Sequence, residues 1–152
     1  MNSAPATGGK PVESRARFRY WLTLQTRWMD NDQYGHVNNA QYYSYIDTIV
    51  NKMLFERQVL AGPHWNAIGL VIASSCEFFS ALSFPQVVDC GLRVGKIGNT
   101  SLRYEVGLFA AGAAAPSALG QFTHVFVDPA TRRPVPLAPA VRDLMLGLTL
   151  PA

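Results

Sequence analysis

The chain has 152 residues, 49% of them hydrophobic and 15% charged, with a formal net charge of +3. Such a chain suits one compact domain that needs no disulfide or metal staple, its low charge points to a surface partly covered by a second copy, and its thirteen scattered Lys and Arg argue against nucleic acid as a partner. Cys76 and Cys90 fall in apolar runs and read as buried thiols, while the lack of a signal-peptide stretch or of any run of about 18 apolar residues implies a cytoplasmic protein with no membrane partner.

In chain order, residues 1–16 are rich in Ala, Pro, Gly and Ser and are expected to be a disordered leader, with 17–152 a single domain. Phe18, Tyr20, Leu22, Leu24, Thr26 and Trp28 alternate with more polar neighbours, which predicts a long first strand. A polar run, DNDQYGHVNN, occupies residues 30–39. Then Tyr42, Ile46, Ile49, Val50, Met53 and Leu54 recur at intervals of three and four, predicting a helix over 39–58 that is roughly 30 Å long. Gly62 and Pro63 predict a turn.

Four more strands are expected at 68–80, 87–97, 101–111 and 119–127, arranged as a meander. Between the second and third of these, Gly98 and Asn99 tolerate positive φ and predict a hairpin. A proline-rich stretch and a short helix at 140–146 close the chain. One strand, a long helix and then a block of strands predict an α+β layer architecture on an antiparallel sheet.

The polar run concentrates groups that do chemistry at a strand-to-helix junction, where unpaired helix amides can hold a carboxylate or a developing oxyanion. Asp30, Asp32 and Gly35 match three positions of a calcium loop, but Tyr34 and Gln41 stand where the fifth and twelfth ligands belong, so no metal site is expected. Asp32 has two roles open to it, a cap on backbone amides or a nucleophile or general base aimed at a carbonyl. His36 is either hydrogen-bonded structure or catalytic support, and Asn38 and Asn39 are either N-caps or positioning groups. Tyr34 and Tyr42 are either packing residues or the wall of an acyl pocket.

The segment TRWMDNDQYGHVNNAQYYSYID resembles the strand-to-helix signature of the hotdog-fold acyl-CoA thioesterases of the 4-hydroxybenzoyl-CoA thioesterase type, and FPQVVDCGLRVGKIGNTSLRYEVGLF resembles that family's middle hairpin. The resemblance runs from about residue 18 to 137. It implies a five-stranded antiparallel sheet wrapped around a long central helix, and hydrolysis of an acyl-CoA thioester without metal or cofactor. It makes Asp32 the nucleophile or base, leaves Asp30 to shape the loop, and assigns the carbonyl oxygen to amides of the Gly35–Val37 turn.

The HVNN portion is similar to the plant acyl-ACP thioesterases, in which an Asn and a His of this segment join catalysis; Tyr34 stands where that Asn would be, although His36 matches. The family also implies a homodimer or homotetramer with shared sites, and places Arg93, Lys96, Asn99, Thr100 and Arg103 near the coenzyme A phosphates. Such residues also serve simply to guard exposed strands against aggregation. Two further functions fit the same fold, a non-catalytic acyl-CoA binding or sensing module and a dehydratase.

Overall fold

The computed structural model describes residues 13–59 and 66–151. The Gly62-Pro63 turn and residues 1–12 of the expected leader lie outside the described residues. Strand β1 (Tyr20–Gln25), helix α1 (Asn39–Glu56), strands β2 (Ile68–Phe78), β3 (Val87–Ile97), β4 (Ser101–Ala110) and β5 (Ala118–Val127), and helix α2 (Pro139–Leu146) follow in that order. They form one five-stranded antiparallel sheet with α1 across one face, the α+β hotdog architecture.

Strand order is β1-β3-β4-β5-β2, which corrects the expected meander. Only β3, β4 and β5 run as neighbours in sequence. β2 pairs with β5 at the far edge, from Ile68↔Val127 to Phe78↔Ala118. The chain must therefore cross the end of the sheet between Phe79 and Gln86 to begin β3 beside β1. Alternating apolar residues mark β2 as a strand but carry no information on which neighbour it chooses, because that choice depends on long-range burial.

The first strand is shorter than its alternation predicts. Asp30 is the reason: its carboxylate accepts the Arg27 N–H at 2.9 Å, and this local acceptor bends Trp28–Asp30 into a 3-10 turn. At the β3–β4 turn the Gly98 N–H donates to the Ser101 carbonyl at 2.8 Å, and neither Gly98 nor Asn99 takes the positive φ expected of them.

Helix α1 buries Tyr42, Tyr45, Ile46, Ile49, Val50, Met53 and Leu54, the predicted stripe with Tyr45 added. Each such side chain contributes about 1.5–3 kcal/mol when fully withdrawn from water. The helix lies close on β5 because Gly120 has no side chain; a Cβ there would collide with Ile46. Asn38 caps the start, its side chain accepting the Ala40 N–H at 2.9 Å. Gln58, at φ +60°, turns the chain out of the helix after Arg57. No helix among the described residues is long and apolar enough to cross a membrane.

On the opposite sheet face, Glu13 and Arg15 lie within the stretch expected to be disordered, yet both are anchored. Arg15 pairs with Asp89 at 2.8 Å, and Glu13 accepts two hydrogen bonds from the buried Arg93 at 2.7 and 2.8 Å. A composition-based boundary misses such anchoring because the partners, Asp89 and Arg93, lie on β3, far along the chain. Cys90 is buried and Cys76 half-buried; burial pushes their thiols up to about 12 and about 11.

Candidate active site

The polar run folds as a compact loop between β1 and α1, built around two carboxylates with different surroundings. Asp30 is fully buried and accepts from the Tyr45 hydroxyl at 2.6 Å, the Arg27 N–H at 2.9 Å and the Arg27 Nε at 3.0 Å. Burial works to raise its pKa, but these hydrogen bonds outweigh it and hold the carboxyl below its ordinary value. Its backbone carbonyl also accepts the Asn38 N–H at 2.8 Å, which ties the loop to the helix cap. With both oxygens engaged, Asp30 shapes the loop.

Asp32 is bound on one side only. Its Oδ1 accepts the Tyr34 N–H at 2.8 Å and the His36 N–H at 3.4 Å, while Oδ2 accepts no hydrogen bond among the described residues. The loop closes with the Asp32 N–H donating to the His36 carbonyl at 2.8 Å and the Gly35 N–H to the Asp32 carbonyl at 3.1 Å. Gly35 sits at φ +81° with nothing near its missing Cβ, so the turn needs glycine for its backbone angle and not for close approach.

Asp32, His36, Val37, Asn39 and Tyr42 line one cleft of about 410 Å³, completed by Phe78, Phe79, Ser80 and Ala81. The last four come from the end of β2 and the crossover and were not expected at the site. Nothing in their sequence marks them, because they reach the loop only through the far-edge placement of β2. The Val37 N–H donates to the Leu82 carbonyl at 2.7 Å and fastens the crossover to the helix start. Asn38 shapes the cleft as the helix cap. Tyr34, 76% exposed, is not among the residues that line it.

The expected oxyanion donors are already engaged within the chain. Gly35 and His36 donate to Asp32, and Val37 to Leu82. Of the amides from Tyr34 to Gln41, the Asn39 N–H alone has no protein acceptor among the described residues. It lies at the first position of α1, where the helix dipole favours negative charge.

The residues expected near the coenzyme A phosphates are split. Arg93 is 3% exposed, paired with Glu13 and with Glu105 at 2.9 Å, and its guanidinium stacks 4.7 Å from the Phe18 ring. The expected phosphate contact would have to compete with these partners, because both terminal nitrogens of Arg93 already donate to Glu13, Glu105 and the Arg17 carbonyl. Lys96 and Arg103 are cross-strand partners on the sheet face away from α1, and the Arg103 Nε is buried without a partner. Asn99 and Thr100 form the adjacent hairpin tip.

That tip lies at the opposite end of β3 from the Asp32 loop. The Asp32 end is marked by the Phe84 N–H donating to Asn31 Oδ1 and the Thr26 N–H to the Gln86 carbonyl. The tip is about 30 Å away along the strand. Among the described residues no three His, Cys, Asp or Glu side chains cluster as metal ligands would.

The likeness to known proteins covers the loop and sheet together. The model of the thioesterase-like superfamily matches residues 26–144. The PA5185 protein of Pseudomonas aeruginosa is 43% identical, with a TM-score of 0.85 over 91% of this chain and 97% of that one. A Thermus thermophilus thioesterase in complex with coenzyme A and Zn is 26% identical, with a TM-score of 0.73 over 87% of this chain and 95% of that one. A thioesterase-superfamily protein of Jannaschia, 18% identical, shares the fold at a TM-score of 0.80 over 90% of this chain and 88% of that one. No curated protein matches the chain. With the family match running from just after β1 through the Asp32 loop, α1 and strands β2 to β5 into α2, this chain belongs to the thioesterase-like superfamily.

Proposed function

We propose that the protein hydrolyses an acyl-CoA thioester to the free acid and coenzyme A, in the manner of the 4-hydroxybenzoyl-CoA thioesterase type, with Asp32 as its reactive group. One observation carries this reading. Asp32 is anchored through Oδ1 and open at Oδ2, in a cleft whose wall also holds the unengaged Asn39 N–H. A carboxylate so held is oriented without being neutralised, and a helix-end amide beside it suits a carbonyl oxygen that gains charge.

Two routes fit this geometry. In the first, an Asp32 oxygen adds to the carbonyl carbon, the C–S bond breaks with its electron pair leaving on sulfur, and water hydrolyses the resulting anhydride. In the second, Asp32 takes a proton from water as the water oxygen adds to the carbonyl, and that proton then reaches the departing thiolate. His36 lines the same cleft and supports either route by holding a water or the leaving group.

The working unit in this proposal is a homodimer joined through β2. Among the described residues no strand pairs with the outer edge of β2, although Val71 and Ile72 within it and Phe78 and Phe79 at its end are each about half exposed or more. A long apolar edge of this kind is a template for pairing with another chain. Antiparallel pairing of two β2 edges reverses the partner, so the partner's hairpin tip comes to the Asp32 end of this chain. Lys96, Asn99, Thr100 and Arg103 of one protomer then serve coenzyme A bound at the Asp32 cleft of the other, which accounts for their 30 Å separation within a single chain.

The test is release of free thiol from a panel of acyl-CoAs, with light scattering to measure mass in solution. Thiol release from at least one member by a dimeric or tetrameric species is expected. Binding without release from any member would overturn the enzyme reading and favour a binding module. Formation of enoyl absorbance from a 3-hydroxyacyl-CoA without thiol release would indicate a dehydratase.

A further inference from the structure

Tyr42 has a phenolic proton that the fold holds in place and does not use. Its ring is 4% exposed, set edge-on to Phe78 at 5.0 Å and 84° and tilted against Tyr45 at 6.4 Å. The Leu82 N–H donates to its hydroxyl oxygen at 3.2 Å, and the carbonyl of the same residue accepts the Val37 N–H. A phenol has one proton to give and lone pairs to receive. Here a lone pair is occupied by Leu82, and no group among the described residues accepts the proton. A phenolic O–H favours the ring plane, so an N–H seated on one side of the oxygen leaves the other side for the proton.

Tyr42 stands three residues after Asn39 on the same face of α1, and both line the cleft that holds Asp32. Two of the residues lining the cleft therefore carry an unengaged donor, the backbone N–H of Asn39 and the hydroxyl of Tyr42. Around the hydroxyl, Cys76 of β2 and Tyr45 of α1 are the titratable neighbours, and Asp32 and His36 are those across the cleft. Burial raises the phenol pKa against the opposing effect of the Leu82 N–H, so the proton is retained at neutral pH.

Resting on the thioesterase reading above, we propose that Tyr42 is a catalytic hydrogen-bond donor, sharing the thioester carbonyl oxygen with the Asn39 N–H. As the nucleophile adds to the carbonyl carbon, the π pair moves to oxygen and both donors tighten on it without giving up their protons. When the intermediate collapses, the pair returns and the C–S bond breaks, with its electrons leaving on sulfur. This assigns the oxyanion site to the first turn of α1, where donors remain, and not to the Gly35–Val37 amides, which already have acceptors.

The experiment compares the full-length protein with its Tyr42→Phe variant across the acyl-CoA panel. The expected result is a fall in kcat of about 100-fold, of similar size for every acyl group, with KM within about 3-fold; loss of a single oxyanion donor has effects on this scale. Unchanged kcat would overturn the proposal. So would a loss confined to acyl groups that carry a polar atom, which would make Tyr42 an acyl-recognition residue. Because Phe also removes the acceptor of the Leu82 N–H, a fluorinated tyrosine placed at 42 supplies a second measurement that keeps this bond. Its more acidic phenol is expected to move the alkaline limb of kcat to lower pH, and an unmoved limb would overturn the proposal even if the Phe variant failed to fold. An inert wild-type protein overturns the thioesterase reading and this inference together, whereas an active wild type with an equally active Tyr42→Phe variant overturns this inference alone.

Discussion

Asp30 and Asp32 are separated by one residue and carry the same functional group, yet they occupy opposite regimes. Asp30 is fully buried and accepts from Tyr45 and twice from Arg27, so its charge is consumed in holding the loop. Asp32 is anchored through one oxygen and open through the other, beside a cleft. A carboxylate becomes available for chemistry when its surroundings fix its direction without satisfying all of its lone pairs. The same comparison separates the two clefts beside them. The smaller one, between β1 and α1, holds the satisfied Asp30 and Tyr45, and the larger holds the unsatisfied Asp32 and Asn39.

Three experiments would break or sharpen this contrast. The largest effect is expected from Asp30→Ala, which leaves the buried Tyr45 hydroxyl and the Arg27 N–H without their acceptor. We expect a loss of about 3 kcal/mol of stability, read as a fall in Tm of about 10 °C. Asp32→Asn is expected to do the reverse, lowering turnover more than 100-fold, at least about 2.7 kcal/mol of transition-state stabilisation, while Tm hardly moves. Wild-type turnover in that variant would reduce Asp32 to a loop cap, and normal stability in Asp30→Ala would remove the structural half of the contrast.

The smallest effect concerns pH and lets fold and site be read separately. His124 is 3% exposed among Tyr104, Phe122 and Phe126, and burial pushes its pKa down to about 4 from an ordinary 6.5. Between those values the unfolded chain binds a proton that the folded chain refuses, so stability is complete above about pH 6.5 and falls as pH drops toward 4. By pH 5 the loss is about 2 kcal/mol. Urea denaturation at pH 7.5 and pH 5 should show it in the wild type and not in His124→Phe. If activity at pH 5 falls equally in both proteins, the acid sensitivity belongs to the cleft.

Much of this was legible in the sequence, and for local reasons. The apolar stripe of α1 is set by a spacing that any helix of this composition must bury, and six of the seven elements, all but β1, lie within a residue or two of their predicted bounds. The DNDQYGHVNN run announced itself by its density of polar groups, and Asp32, His36, Val37, Asn39 and Tyr42 do meet in one cleft. Less legible were relationships between distant segments. The pairing of β2 with β5, the arrival of Phe78–Ala81 beside Asp32, and the burial of Arg93 between Glu13 and Glu105 all join residues far apart in the chain.

Sequence alone was enough for the elements and for the segment where polar groups are concentrated, because helix periodicity, strand alternation and capping act over a few residues, and its loop and hairpin motifs carried the resemblance to thioesterases. Only the tertiary structure decided which carboxylate is spent and which is open, and which amides at the helix start still lack acceptors. It also decided that the hairpin tip and the Asp32 loop stand at opposite ends of β3. The physical reason is that a hydrogen-bonding group is made available or unavailable by partners that long-range packing supplies, and residue identity says only what the group is able to accept or donate.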